Sequence, residues 1–254
     1  MGKLSLSMPC VVSVFALAGV SAVGSQAQAD SVTLTTVADN TLYETPTGST
    51  SNGSGTAMFA GRNSGATNSR RRALVRFDFS TIPAGSTITG VSLSLSNSAT
   101  NSDPATVSLF TVAQSWGEGA SVATGGQGSG TAAAAGDATW LHRSFNSSLW
   151  TNPGGDFALA PSASTSVIGP GTYQWSSAGL IANVQAFLAN PAGNFGWILI
   201  GDESVASSAK KFSTREDPAA ALRPALSVTF VVPAPAATGV LGLGLLTLSR
   251  RRRC

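Results

Sequence analysis

Between residues 70 and 79 the sequence reads RRRALVRFDF, and its apolar residues recur with a period of two. Successive side chains of an extended strand point to opposite faces. Ala73, Val75, Phe77 and Phe79 therefore share one face, and Arg70, Arg72, Leu74, Arg76 and Asp78 share the other. An antiparallel strand with one face on a core and one toward solvent gives this pattern, and here the outer face is basic. The strand commits the chain to a sheet, and its outer face is expected to help grip an acidic polymer.

The rest of the body agrees with a sheet. Further strands are expected at 31–37, 41–44, 56–60, 88–96, 106–112, 172–175, 195–200, 210–215 and 225–232. The clearest sets Val91, Leu93 and Leu95 against Ser92, Ser94 and Ser96. Thr81-Ile82-Pro83-Ala84-Gly85 is a turn, with Pro and Gly where turn geometry favours them. One helix is expected, with Leu180, Ile181, Val184, Phe187 and Leu188 on a single stripe, a cap at Ser176 or Ser177, and an end at Asn190-Pro191. Many short strands, one helix and no internal repeat predict an all-β protein, an antiparallel β-sandwich of jelly-roll type, in one domain over residues 30–230. Within it, residues 116–160 form a loop-rich insertion. Its Gly/Ala/Ser run at 123–136 reads as a surface loop or disordered tip. Trp116, Trp140 and Trp150 flank that run, either anchoring the loop base or forming a platform for sugars.

Both ends are distinct from the body. Lys3, the apolar run 11–23 and Ala27-Gln28-Ala29 make a secretory leader over residues 1–29, with cleavage expected before Asp30. At the other end, Val232-Pro233-Ala234-Pro235 precedes an apolar run at 236–248 and then Arg250, Arg251, Arg252 and Arg253. Residues 231–254 resemble a PEP-CTERM sorting signal, with Ala234 where that signal carries Glu. The resemblance implies an exosortase-type processing enzyme as partner, with Pro233, Pro235 and the four arginines as sorting residues. It also implies a tail that is transiently in the membrane; a simple tail anchor is the alternative. The expected location is the outer surface or extracellular matrix of a Gram-negative-type bacterium.

Charge is informative only after this division. Residues 30–232 hold ten cations and all twelve carboxylates, a net −2, so the whole-chain +3 belongs to the ends. No nucleic-acid partner follows from such a body. The distribution is uneven: Arg62, Arg70, Arg71, Arg72 and Arg76 form one group, and Lys210, Lys211 and Arg215 another. Both cysteines, Cys10 and Cys254, lie in the end segments.

Several short motifs fall in a recognisable order. They are Asp39-Asn40-Thr41-Leu42-Tyr43-Glu44, Arg76-Phe77-Asp78-Phe79-Ser80 with Ile82-Pro83-Ala84-Gly85, and Gln114-Ser115-Trp116-Gly117-Glu118-Gly119. Phe195-Gly196-Trp197, then Phe212-Ser213-Thr214-Arg215-Glu216 with Arg223-Pro224, complete the series. Residues 32–230 thereby resemble a DNRLRE domain. That resemblance implies a β-sandwich binding module of surface proteins, related to carbohydrate-binding and alginate-binding modules.

A polysaccharide, acidic in character, is the expected partner, bound by a monomer without catalysis. Arg62, Arg70, Arg71, Arg72, Lys210 and Lys211 have no carboxylate nearby in sequence and are the expected ligand contacts, with Tyr43 stacking on a sugar ring. Arg76, Asp78, Arg215 and Glu216 are expected to pair with one another across strands. A single histidine, His142, argues against Ser-His-Asp machinery and a His-rich metal site. Glu118, Asp137, Asp202 and Glu203 are the carboxylates a glycosidase or lyase would draw on. No cofactor is expected; a structural calcium ion would sit at Asp39 or at Asp202-Glu203. The competing reading is a structural or adhesive matrix protein with no specific glycan.

Overall fold

The computed structural model describes residues 28–99 and 103–233, together with Gly2. The expected sorting residues Pro235, Arg250, Arg251, Arg252 and Arg253, and nearly all of the expected leader, lie outside the described residues. Pro233 is described and exposed. Among the described residues no helix is long and apolar enough to cross a membrane.

In chain order the main elements are β1 (Ala29–Tyr43), β2 (Ala57–Arg62), β3 (Arg70–Phe77), β4 (Thr87–Asn97) and β5 (Ala105–Thr111). They continue with β6 (Ala163–Val167), β7 (Gly171–Trp175), α1 (Ala178–Ala189), β8 (Trp197–Ile200), β9 (Lys210–Ser213) and β10 (Ala225–Val231). Every pairing is antiparallel, as the all-β reading requires.

Two sheets form. In the first, the opening half of β1 pairs with β10, β10 with β4, and β4 with both β7 and β9, after which β9 pairs with β2. In the second, the closing half of β1 pairs with β3, followed by β8, β5 and β6. β1 crosses between sheets at a register shift between Thr36 and Ala38, so the strands expected at 31–37 and 41–44 are one bent strand. A bulge is how a strand turns such a corner. The end of β2 also crosses, setting Gly61 and Arg62 against Arg71 and Arg70. β1, β10, β4, β9, β2 and β3 thereby close on themselves, giving the sandwich a barrel-like circuit.

The interior is what the alternation dictates. Ala73, Val75 and Phe77 of β3 meet Leu93 and Leu95 of β4, Trp197 and Leu199 of β8, and Leu226 and Val228 of β10. Helix α1 lays Leu180, Val184 and Phe187 on this core, with the Ser177 hydroxyl accepting from the Leu180 amide at 3.0 Å as its cap. Phe187 packs 5.2 Å from Trp197 and 6.0 Å from Phe79, ring centre to ring centre.

A second core covers the outside of the second sheet. Ala38, Leu42, Leu74 and Ile198 project there and are buried by Val112, just after β5, and by Trp116, Ala138, Trp140 and Trp150 of the insertion. The Gly/Ala/Ser run is accordingly a packed segment rather than a free tip. Thr131–Ala132 pairs with Thr50–Ser51, and the Ala123 amide donates to Asn52 at 2.8 Å. The Gln127 side chain accepts from the Ala57 amide at 2.9 Å. The run lacks large apolar side chains, and backbone and amide hydrogen bonds hold it instead. All five tryptophans are buried, so none is a surface platform for sugars.

Candidate functional site

The arginines of β3 split between two environments, because neighbouring residues point opposite ways. Arg70, Arg72 and Arg76 face the second core, where the insertion meets them. Arg72 is 9% exposed and forks onto Glu203, Nε to Oε1 at 2.7 Å and Nη2 to Oε2 at 2.9 Å. Its remaining nitrogen, Nη1, donates to the Gly154 carbonyl at 2.9 Å. Arg70 donates from Nε and Nη2 to Oε1 of Glu44 at 3.0 and 2.5 Å, and its amide reaches Oε2 at 3.0 Å. Both guanidinium groups sit over Trp140, at 5.0 Å for Arg70 and 4.9 Å for Arg72. Arg76 sits over Trp116 at 5.5 Å. The Arg70 guanidinium holds the Glu44 carboxyl below the usual range, and Glu44 in turn raises Arg70.

Arg71 points the other way and is buried at the barrel end. Its Nε donates to the Gly128 carbonyl at 3.1 Å and Nη1 to the Arg70 carbonyl at 2.8 Å, with the Tyr43 ring at 5.0 Å. Burial lowers the Arg71 pKa and raises that of Tyr43. Tyr43 is fully enclosed, and its hydroxyl donates to the Gln127 carbonyl at 2.8 Å. Its ring is therefore a wall of the core, not a surface on which a sugar can stack.

The lysine-bearing strand does not adjoin the arginines of β3: β9 lies against β2 and β4, and β2 separates it from β3. Lys210 is buried and donates to the carbonyls of Asp103 and Ile168, each at 2.7 Å; burial lowers its pKa. Lys211 lines a shallow groove with Phe59, Asn63 and Ser98. Arg62 braces its own loop, Nε to the Ser69 hydroxyl at 3.0 Å and Nη2 to the Ala66 carbonyl at 2.8 Å. The expected single basic flank thus gives way to paired or buried cations. Besides the Lys211 groove, an open remnant is a cleft of about 580 Å³ between the β2–β3 loop and the loop after β8. Arg62, Arg70, Glu44 and Glu203 line it, with Thr67, Asn68 and Ser204.

The four residues expected to pair among themselves do so only in part. Asp78 accepts from the amide and hydroxyl of Ser80, at 2.9 and 2.8 Å, within a local turn. Arg215 lies 2.9 Å from Glu216, but its main partner is Glu118, Nε to Oε1 and Nη2 to Oε2, both at 2.7 Å. Asp39 joins them. Its Oδ2 accepts from the Arg215 amide at 3.0 Å, and its own amide donates to Glu118 Oε1 at 2.9 Å. Burial pushes the Asp39 carboxyl up to about 8, opposed by the Arg215 amide and reinforced by the charges of Glu216 and Glu118. Burial also raises Glu216.

The alternative calcium position at Asp202-Glu203 is otherwise engaged. Asp202 Oδ1 accepts from the Ser204 amide and hydroxyl, at 2.8 and 2.6 Å, and Glu203 faces Arg72. Sequence reasoning did not foresee Glu44, Glu203 and Glu118 as the arginines' partners, nor Trp140 between two guanidinium groups. One signal was present: Leu74 sits among the arginines on their face, and an apolar residue there indicates a face that is covered.

Compared with the models of known protein families and with curated proteins, the chain matches none.

Proposed function

We propose that this chain is a non-catalytic structural or adhesive β-sandwich of the bacterial envelope or its matrix, and that its arginines act as internal fasteners. One observation carries the reading. The guanidinium groups of Arg70 and Arg72 are each met by a carboxylate and lie over Trp140, and that of Arg72 is enclosed beneath the insertion. A polyanion could reach Arg72 only by displacing Glu203 and opening a packed layer. Removing one partner of such a buried pair costs about 3–5 kcal/mol. Deletion of the gene is expected to weaken the envelope or the matrix, while the purified chain releases no oligosaccharide from any polymer. A normal envelope after deletion would contradict the reading, and so would released oligosaccharide.

A second reading, glycan binding, keeps one specific support. The cleft at Arg62 and Arg70 is open, and the Arg70 side chain is 41% exposed. With two guanidinium groups facing two carboxylates, the cleft is close to charge-balanced and suits sugar hydroxyls better than uronate or sulfate. Binding of this kind varies little with salt. Thr67→Trp would fill the cleft without removing a structural partner. Loss of glycan retention in that variant supports the second reading, and retention unchanged by it places the contact elsewhere.

A further inference from the structure

Asp39, Glu118 and Glu216 come from three separate parts of the chain: β1 just past its bulge, the insertion, and the segment after β9. One oxygen of each carboxylate lies within 4.8 Å of the others. Calcium takes oxygen ligands at about 2.3–2.6 Å, so oxygens on opposite sides of one ion stand about 4.6–5.2 Å apart. The three oxygens are thus no farther apart than two ligands of one calcium ion can be.

Closeness of acidic groups is not itself a site. Independently of that spacing, two of the three carboxylates each hold a buried oxygen with no donor. Asp39 is fully buried, yet its Oδ1 has no hydrogen-bond partner, and neither has the buried Oε2 of Glu216. Buried carboxylate oxygens are almost always satisfied, and one left bare costs the desolvation of a charge. The other groups bonded to the cluster are already turned to other atoms. Arg215 donates once to each oxygen of Glu118 and touches Oε1 of Glu216, while its amide and the Thr36 hydroxyl serve Oδ2 of Asp39. Were all three carboxylates ionised, the one guanidinium would leave two negative charges uncompensated.

We infer that Asp39, Glu118 and Glu216 form a binding site for one divalent hard cation, calcium by preference, at the junction of β1, the insertion and the segment after β9. The donors are all carboxylate oxygens, with no thiolate or imidazole, which favours calcium or magnesium over zinc. Magnesium demands a near-octahedral cage and keeps several waters, whereas calcium tolerates an irregular set such as this. The ion would supply the partner that Asp39 Oδ1 and Glu216 Oε2 lack. It would also tie the insertion, through Glu118, to the sandwich it covers.

The test uses the full chain, stripped with EDTA and titrated with calcium chloride, with magnesium chloride and ionic-strength-matched sodium chloride as comparators. Calorimetry should give one calcium per chain, and the thermal midpoint should rise with calcium and not with matched sodium. Glu216→Gln should weaken calcium affinity by at least about tenfold, since even the supporting partners of metal ligands are worth that much. Asp39→Asn should abolish the response, and because Asp39 is deeply buried, the less enclosed Glu216 keeps the test available if that variant fails to fold. No saturable calcium binding would overturn the inference. So would binding that survives Glu216→Gln unchanged, or an Asp39→Asn protein as stable as the calcium-free parent whose parent ignores calcium; a proton would then be what the cluster holds.

Discussion

At the scale of single residues, what matters about a cation here is what faces it. Arg72 and Lys211 are both positively charged, yet one is enclosed against Glu203 and an indole while the other lines an open groove. Arg72→Ala or Glu203→Gln is therefore expected to cost about 3–5 kcal/mol in urea unfolding, because each leaves its partner uncompensated. Lys211→Ala should stay within about 0.5 kcal/mol, as exposed substitutions usually do. Equal losses for the two would contradict the assignment of Arg72 as a fastener. Glu44 gives a pH-dependent counterpart. Its folded pKa is depressed from the ordinary 4.5 by the Arg70 hydrogen bonds. Its stabilisation is thus complete above that value and is lost as pH falls through the lower folded one. Acid unfolding of Glu44→Gln should show a shallower loss of stability below pH 4.5 than the parent; an identical slope would remove Glu44 from the account.

At the scale of elements, the insertion behaves as a second layer and not as a decoration. Trp140 is 4% exposed and carries two guanidinium groups, so Trp140→Ala should cost about 3–5 kcal/mol, as large aromatic truncations in cores do. Denaturant melts read this directly, and a loss under about 1 kcal/mol would mean that the layer is only loosely applied. Backbone geometry reinforces the layer. Gly119 has φ +79°, and a Cβ there would lie 1.4 Å from an Asp137 carboxylate oxygen, so the chain beside Glu118 has no room for a side chain. Most of the strands and the helix were legible because period two and period 3.6 are local properties: β3, β4 and α1 fall where alternation and the apolar stripe place them, whereas β6 was not expected. The covering of β3 was not legible. Glu203 lies 131 residues from Arg72, and no periodicity links them. Absence of a nearby carboxylate in sequence is thus a poor guide to absence in space. The bend in β1 was hidden too, because residues 38–40 read as a gap between two strands until both halves are seen paired.

At the scale of the molecule, the body's net charge of −2 was a better guide than its clustered cations. Ten cations among twelve carboxylates can all be met internally, and the enclosed ones at β3 are. On the proposed reading these charges hold layers together and offer no docking face to a polyanion. Retention of the full chain on an immobilised anionic glycan, compared at low and high salt, is the decisive measurement. No salt-sensitive retention is expected, in the parent and in Lys211→Ala alike. Strong retention at low salt that falls steeply with added salt would contradict it.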